Sequence, residues 1–212
     1  MKLYTYSIAP NPQRIELAIA EKQIEIARVQ VDLKKGEQLS AAYKQKNPHC
    51  DVPMLELPDG TCISQVPAIA SYLEETFPAR PLFGSTAKQK AQVIMWEHLC
   101  AIDGLQAVGE VLRNTAKAME NRAMVGPHNY AQVPALAERG RARTRNFFAD
   151  LDKRLQGSEY VAGDFFSMAD ITAWVTCNFA GWIKEFMPAE CSALQAWHQR
   201  LALRPAFNSE QG

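Results

Sequence analysis

The residues best suited to chemistry are thinly spread along this chain. Cysteines stand at 50, 62, 100, 177 and 191, and no two form a C-x-x-C pair. Neither a zinc ribbon nor a dithiol redox motif is therefore present. Histidines at 49, 98, 128 and 198 lack H-E-x-x-H or any comparable spacing, so no metal site is expected. Arg139, Arg141, Arg143 and Arg145 resemble a nucleic-acid stripe at first sight. At about 100° per helical residue they divide between two faces, as on a solvated helix. Two local features remain. Asn11-Pro12 marks a helix start, with proline tolerated in the first turn. Ser167-Met168-Ala169-Asp170 is a capping box, with Phe166 and Ile171 at hydrophobic-staple positions, and its expected role is structural.

The elements that must carry these residues change character near residue 77. Leu3 to Tyr6 reads as a short strand, and Ile15, Leu17, Ala18 and Ile19 give a mostly apolar helix ending near Lys22. Ile24 to Leu33 reads as a second strand, and Gly36 to Lys46 as a weaker helix. Met54 to Leu57, the turn Pro58-Asp59-Gly60 and Thr61 to Ile63 form a hairpin, with Asp-Gly as the turn signal. Gln65 to Thr76 closes the unit as a helix. The order βαβ–α–ββα is that of a small α/β sandwich, with a parallel pair joined by a helical crossover. A Pro-rich connector follows. Helical patterns then cover roughly 87–120, 134–155, 168–186 and 191–203, without a convincing strand.

At 212 residues, 47% hydrophobic and 22% charged, the chain can bury a proper core and is not disordered. Lys+Arg 23 balances Asp+Glu 23, which argues against a nucleic acid or an anionic membrane as partner. No apolar run reaches the roughly 18–20 residues of a membrane helix, and the first residues do not read as a signal peptide. With an odd, scattered set of cysteines, the expectation is a cytoplasmic protein in a reducing compartment.

Several stretches together resemble the cytosolic glutathione transferase family, along nearly the whole chain. They are APNPQRIELAIAEK, VDLKKGEQ, NPHCDVPMLELPDG, QVPAIASYLEE, YVAGDFFSMADIT and LQAWHQRLALRP. The likeness is greatest to the Gtt-type members of fungi and bacteria. It implies an α/β thioredoxin-like domain at 1–77, a linker at 78–86 and an all-α domain at 87–212 that contributes a hydrophobic-substrate site between the domains. It also implies a homodimer, with glutathione as co-substrate, no bound cofactor, and a small hydrophobic electrophile as second substrate.

The chemistry so implied is ionisation of a thiol. A free thiol with pKa about 8.5 is only about 3% ionised at pH 7, and lowering it to about 6.5 gives about 75%. The family's hydroxyl for this purpose falls at Ala9, in Ala9-Pro10-Asn11-Pro12-Gln13-Arg14, where none exists. Gtt-type members are thought to use a water instead. Asn11 is the best substitute within the chain, either donating its amide to the sulfur or merely capping the helix; Tyr6 and Ser7 are weaker candidates. For glutathione itself the resemblance implies backbone bonding at Val52 before a cis Pro53, and a γ-glutamyl site at Gln65-Val66, where the usual serine is absent. Lys35 and Gln38 fall at glycyl-carboxylate positions or are simply solvated. Asp103 either reaches the γ-glutamyl amine across the dimer or lies on a solvated helix face. Gln106 and Arg113 are polar candidates for the hydrophobic-substrate site. Cys50 replaces a usual glycine and is either a mixed-disulfide site or an unremarkable small side chain. A non-catalytic glutathione or ligand carrier, and a scaffold, remain as alternatives to the enzyme.

Overall fold

Strand β1 (Lys2–Thr5) buries Leu3 and Thr5 completely and leaves Lys2 outside, the alternation that a strand imposes. A computed structural model describes residues 1–208. The described chain forms two compact units. The first holds Met1–Arg80 together with Met124–Asn129; the second holds Pro81–Ala123 and the described chain from Tyr130 to Asn208.

In the first unit, α1 (Pro10–Lys22) follows β1 and buries Ile15, Leu17, Ala18 and Ile19. It ends at Gln23 in the left-handed conformation, φ 56°, whose N–H returns to the Ala20 carbonyl. Strand β2 (Ala27–Gln30) pairs parallel with β1, so the connection is the expected helical crossover. It is shorter than the alternation at 24–33 suggests, because the ladder with β1 runs only from Lys2–Ala27 to Thr5–Gln30. The stretch 36–46 is not one helix. A 3₁₀ turn at Glu37–Leu39 precedes α2 (Ala41–Lys46), because Ser40 caps α2 by accepting the Tyr43 N–H at 3.2 Å.

Strands β3 (Met54–Glu56) and β4 (Cys62–Ser64) form the hairpin. Its Asp-Gly turn places Gly60 at φ 86°, which glycine adopts without steric cost. Helix α3 (Val66–Thr76) completes the unit, and the sheet order is β2-β1-β3-β4. Lys22 on α1 meets Glu74 on α3 at 2.6 Å, both largely enclosed, which ties the two helices together.

The second unit contains α4 (Ala87–Leu99), α5 (Gln106–Thr115), α6 (Pro134–Leu155), α7 (Met168–Ala180), α8 (Ser192–Ala202) and α9 (Pro205–Asn208). Among the described residues its only extended pairing is an isolated Arg122–Tyr130 bridge. The pattern at 87–120 is interrupted by a π-helical turn at Cys100–Leu105. Gly104 in that turn has no room for a side chain: a Cβ would lie 2.8 Å from Phe147 and 2.9 Å from Thr176.

Asp170, fully buried at the start of α7, anchors this unit. It accepts the backbone N–H of Ser167 (3.0 Å), the Ser167 hydroxyl (3.1 Å), the Val161 N–H (2.9 Å) and the Trp197 indole N–H (3.0 Å). The capping box thus reaches α8 as well as α7. Phe166 meets Tyr160 and Phe207 edge-on. Burial pushes the Asp170 carboxyl up to about 6, against the opposing pull of the four donors. Between about pH 4 and 6 the folded carboxyl therefore keeps a proton that the unfolded chain releases. Its contribution to stability falls as pH rises through that window and is level above it. Asp170→Ala is expected to cost about 3 kcal/mol or more at pH 7, by leaving buried donors unpaired. In thermal melts, the stability gap between wild type and Asp170→Asn should narrow from pH 5 to 6 and then stay constant.

Candidate functional site

One rung of the sheet brings the candidate residues together. Met54 of β3 pairs with Tyr4 of β1 on one side and with Ser64 of β4 on the other. β1 leaves this rung toward Thr5 and α1, β3 enters it from Val52-Pro53, and β4 leaves it toward Gln65 and α3. β2 runs parallel to β1, with Gln30 opposite Thr5, so the segment from Val31 to Gln38 departs at the same end. Ala9, Asn11, Lys35, Gln38, Val52, Pro53, Gln65 and Val66 therefore all lie on segments emerging from one end of the sheet.

Ala9 is the residue preceding the first turn of α1, and its side chain offers no hydrogen bond. Pro10 is the first helical residue, so Asn11 stands inside the first turn and does not cap it. Its side chain is exposed, and its Oδ1 accepts Arg14 Nη1 at 2.8 Å. A guanidinium only donates, so this contact fixes the amide orientation and turns both N–H donors of Asn11 away from Arg14. Arg14 is 4% exposed. Asn-x-x-Arg at helical spacing was the available sequence signal for this pair.

The Val52–Pro53 peptide bond is cis, as the resemblance implies. Gln65 has φ 75° and ψ 129°, an unfavourable backbone for a residue with a Cβ, and it precedes the first turn of α3. Its Nε2 donates to Asp51 Oδ2 at 2.6 Å. Asp51, which sequence reasoning missed, lies 14 residues earlier in the chain and carries no local signal of this contact. Lys35 is exposed, with Nζ 3.4 Å from Asp32. The Lys35 backbone N–H, foremost, holds the Asp32 carboxyl below its usual range. Gln38 Oε1 is buried and has no hydrogen-bond partner.

Cys50 occupies φ 53° and is 2% exposed, with Sγ 3.5 Å from the Pro48 carbonyl oxygen. Cysteines 50, 100, 177 and 191 are buried, and Cys62 is half-buried. Burial, foremost, pushes the Cys62 thiol up.

Asp103, Gln106 and Arg113 belong to the second unit. Asp103 lies in the π-helical turn, 3.6 Å from Arg143. Gln106 begins α5 and is exposed. Arg113 Nη1 donates to the Arg122 carbonyl at 2.9 Å, which ties α5 to the chain beyond it. Arg139, Arg141, Arg143 and Arg145 of α6 are all committed to acids: Arg139 and Arg143 to Glu110, and Arg141 and Arg145 to Glu185. Among the described residues there is no cluster able to hold a metal ion, and no helix is long and apolar enough to cross a membrane.

Residues 8–76 match the profile of the glutathione S-transferase N-terminal domain, and residues 115–205 that of its C-terminal domain. Glutathione S-transferase 2 of Saccharomyces cerevisiae is 32% identical over 97% of this chain and 87% of its own length. The chain belongs to the glutathione S-transferase family. Among solved structures, a glutathione S-transferase domain-containing protein of Marinobacter aquaeolei superposes with TM-score 0.91 at 33% identity, covering 98% of this chain and 100% of that one. Gtt2 of Saccharomyces cerevisiae superposes with TM-score 0.89 at 32% identity, covering 98% and 99%. The small mixed sheet with its helices and the all-helical second unit are thus those of this family's fold, and the likeness to Gtt-type members holds in sequence and in structure.

The cysteine burial predicts an order of reactivity. Under iodoacetamide at neutral pH, Cys62 should be the first thiol of the folded protein to be labelled, slowly, and faster as pH rises. Glutathione disulfide should leave no adduct at Cys50. Peptide mapping by mass spectrometry would read both.

Proposed function

We propose that this protein, a glutathione transferase, binds reduced glutathione at the shared end of the first unit's sheet and directs its thiolate at a small hydrophobic electrophile. The observation that carries the reading is the Tyr4–Met54–Ser64 rung, which gathers the ends of α1 and α3 and the cis Val52–Pro53 bond in one place. The Val52 backbone pairs with the cysteinyl moiety, Gln65 and the Val66 N–H hold the γ-glutamyl group, and Lys35 and Gln38 take the glycyl carboxylate. The thiol loses its proton to solvent. Its sulfur then forms a bond to the electrophilic carbon, while a leaving group departs with the electron pair or the pair moves onto the acceptor.

Ionisation rests on Asn11, through its side-chain amide and its backbone N–H; Pro10 and Pro12 have no N–H, and the Gln13 N–H is taken by the Ala9 carbonyl at 3.1 Å. Ala9 provides no hydroxyl, whereas the Asn11 amide, turned by Arg14, has two donors to offer a sulfur anion. Lowering the thiol by about two units corresponds to about 2.7 kcal/mol, which lies within reach of one hydrogen bond to a charged group, about 1.5–3 kcal/mol, together with the Asn11 backbone N–H. Asp103, supplied by the partner of a homodimer, neutralises the γ-glutamyl amine, and Gln106 and Arg113 line the electrophile's site. A second copy is supported by the exposed apolar side chains of Ile94, Met95, Leu99 and Ile102 on α4 and the turn that follows it. The protein acts in the cytoplasm, consistent with its free cysteines.

The missing hydroxyl at Ala9 supports a second reading, a glutathione carrier that binds without turnover. Calorimetric titration of reduced glutathione decides first. Saturable binding at one site per chain, at millimolar affinity or tighter, is expected, and no binding at several millimolar would sink both readings. A conjugation assay then separates them. For the enzyme, Asn11→Ala should lower kcat/KM about ten- to a hundredfold at pH 6.5, with the deficit closing toward pH 9 as the thiol ionises unaided.

A further inference from the structure

The contact between Gln65 and Asp51 goes beyond holding a loop. Asp51 is fixed by neighbours that are themselves enclosed. Its Oδ1 accepts Asn47 Nδ2 at 2.7 Å, and its carbonyl oxygen accepts the Tyr43 hydroxyl at 2.7 Å and the same Asn47 nitrogen at 3.0 Å. Tyr43 and Asn47 are 5% and 2% exposed, whereas Asp51 itself keeps access to solvent. The carboxylate is thereby held rigidly at the site's edge.

A carboxylate only accepts, so it faces the N–H₂ end of Gln65 and leaves Oε1 as an acceptor turned the other way. The positive φ of Gln65 swings the chain so that the next N–H, that of Val66, opens α3. Such first-turn N–H groups have no intrahelical acceptor. Within one residue step the chain thus presents donors at a helix start, an amide acceptor and a carboxylate with lone pairs to spare. A zwitterionic α-amino-acid head is the complement of that arrangement, its carboxylate toward the helix start and its ammonium toward Gln65 Oε1 and Asp51.

We propose that Asp51 makes the site selective for peptides carrying a free α-ammonium on the γ-glutamyl residue, by orienting Gln65 and by supplying a charge opposite the ammonium. Asp51 is a positioning and specificity residue. This inference rests on the glutathione reading above and adds what part of the tripeptide Asp51 discriminates.

The test compares glutathione with its N-acetyl derivative, acetylated on the γ-glutamyl nitrogen, by calorimetry. Wild type should prefer glutathione by about tenfold or more, the scale of a hydrogen-bonded charge. Asp51→Asn keeps an oxygen for Gln65 but removes the charge. It should weaken glutathione about tenfold and leave the acetylated peptide unchanged, so that the preference narrows by that factor while the melting temperature moves little. If Asp51→Asn does not fold, Gln65→Met carries the same expectation, a loss of discrimination. Equal binding of both peptides by wild type, or an equal loss of both in the variant, would overturn the role of Asp51. Binding of neither by wild type would overturn the glutathione reading and this inference with it.

Discussion

The pairing of Met54 with Tyr4 and Ser64 at once is the constraint on which the first unit depends. A strand's side chains alternate, so sliding β3 by one residue would carry each of its side chains to the opposite face of the sheet. Met54 and Leu55 are both fully buried, one on each side of the sheet, which leaves little freedom to slide. With that register set, the segments that matter chemically need no further instruction to meet. They are the immediate continuations of strands whose ends already coincide.

What happens beyond the strand ends is a matter of hydrogen bonds that commit one end of an amide and release the other. Arg14 takes the oxygen of Asn11 and leaves its donors; Asp51 takes the donors of Gln65 and leaves its oxygen. The two amides, built from the same atoms, are turned opposite ways by partners of opposite charge. One suits an anion and the other a cation. The same economy appears in the second unit, where the Asp170 carboxylate gathers a cap, a loop amide and an indole that belong to separate stretches of chain.

The sequence carried most of the local architecture, because the signals concerned are short-range. The Asp59-Gly60 turn, the alternation in β1, the box at Ser167 and Asp170 and the order of strands and helices each rest on residues a few positions apart. The first turn of α1 was misread by two residues, since Pro10 suits a first helical position as well as Pro12 suits a later one. Of the candidate site, the cis Val52–Pro53 bond and the helix that opens at Val66 after Gln65 were legible in the quoted motifs. Asp51's grip on Gln65 was not, because it exists only once the β3–β4 hairpin has closed. Nor was the π-helical turn, for which Gly104 is the sole compositional hint and whose close neighbours, Phe147 and Thr176, lie on other helices.

That turn has a meaning for insertions and deletions. Each π-type bond spans five residues where an α-type bond spans four, so the turn between α4 and α5 holds one residue more than a plain helix would. Removing a residue elsewhere along α4 or α5 would rotate everything downstream by about 100° and bring exposed side chains to the buried face. Removing one between Cys100 and Leu105 would instead restore ordinary helical phase. The long helix thus has a single place along its length where a change of one residue in the chain can be absorbed without turning its two halves against their neighbours.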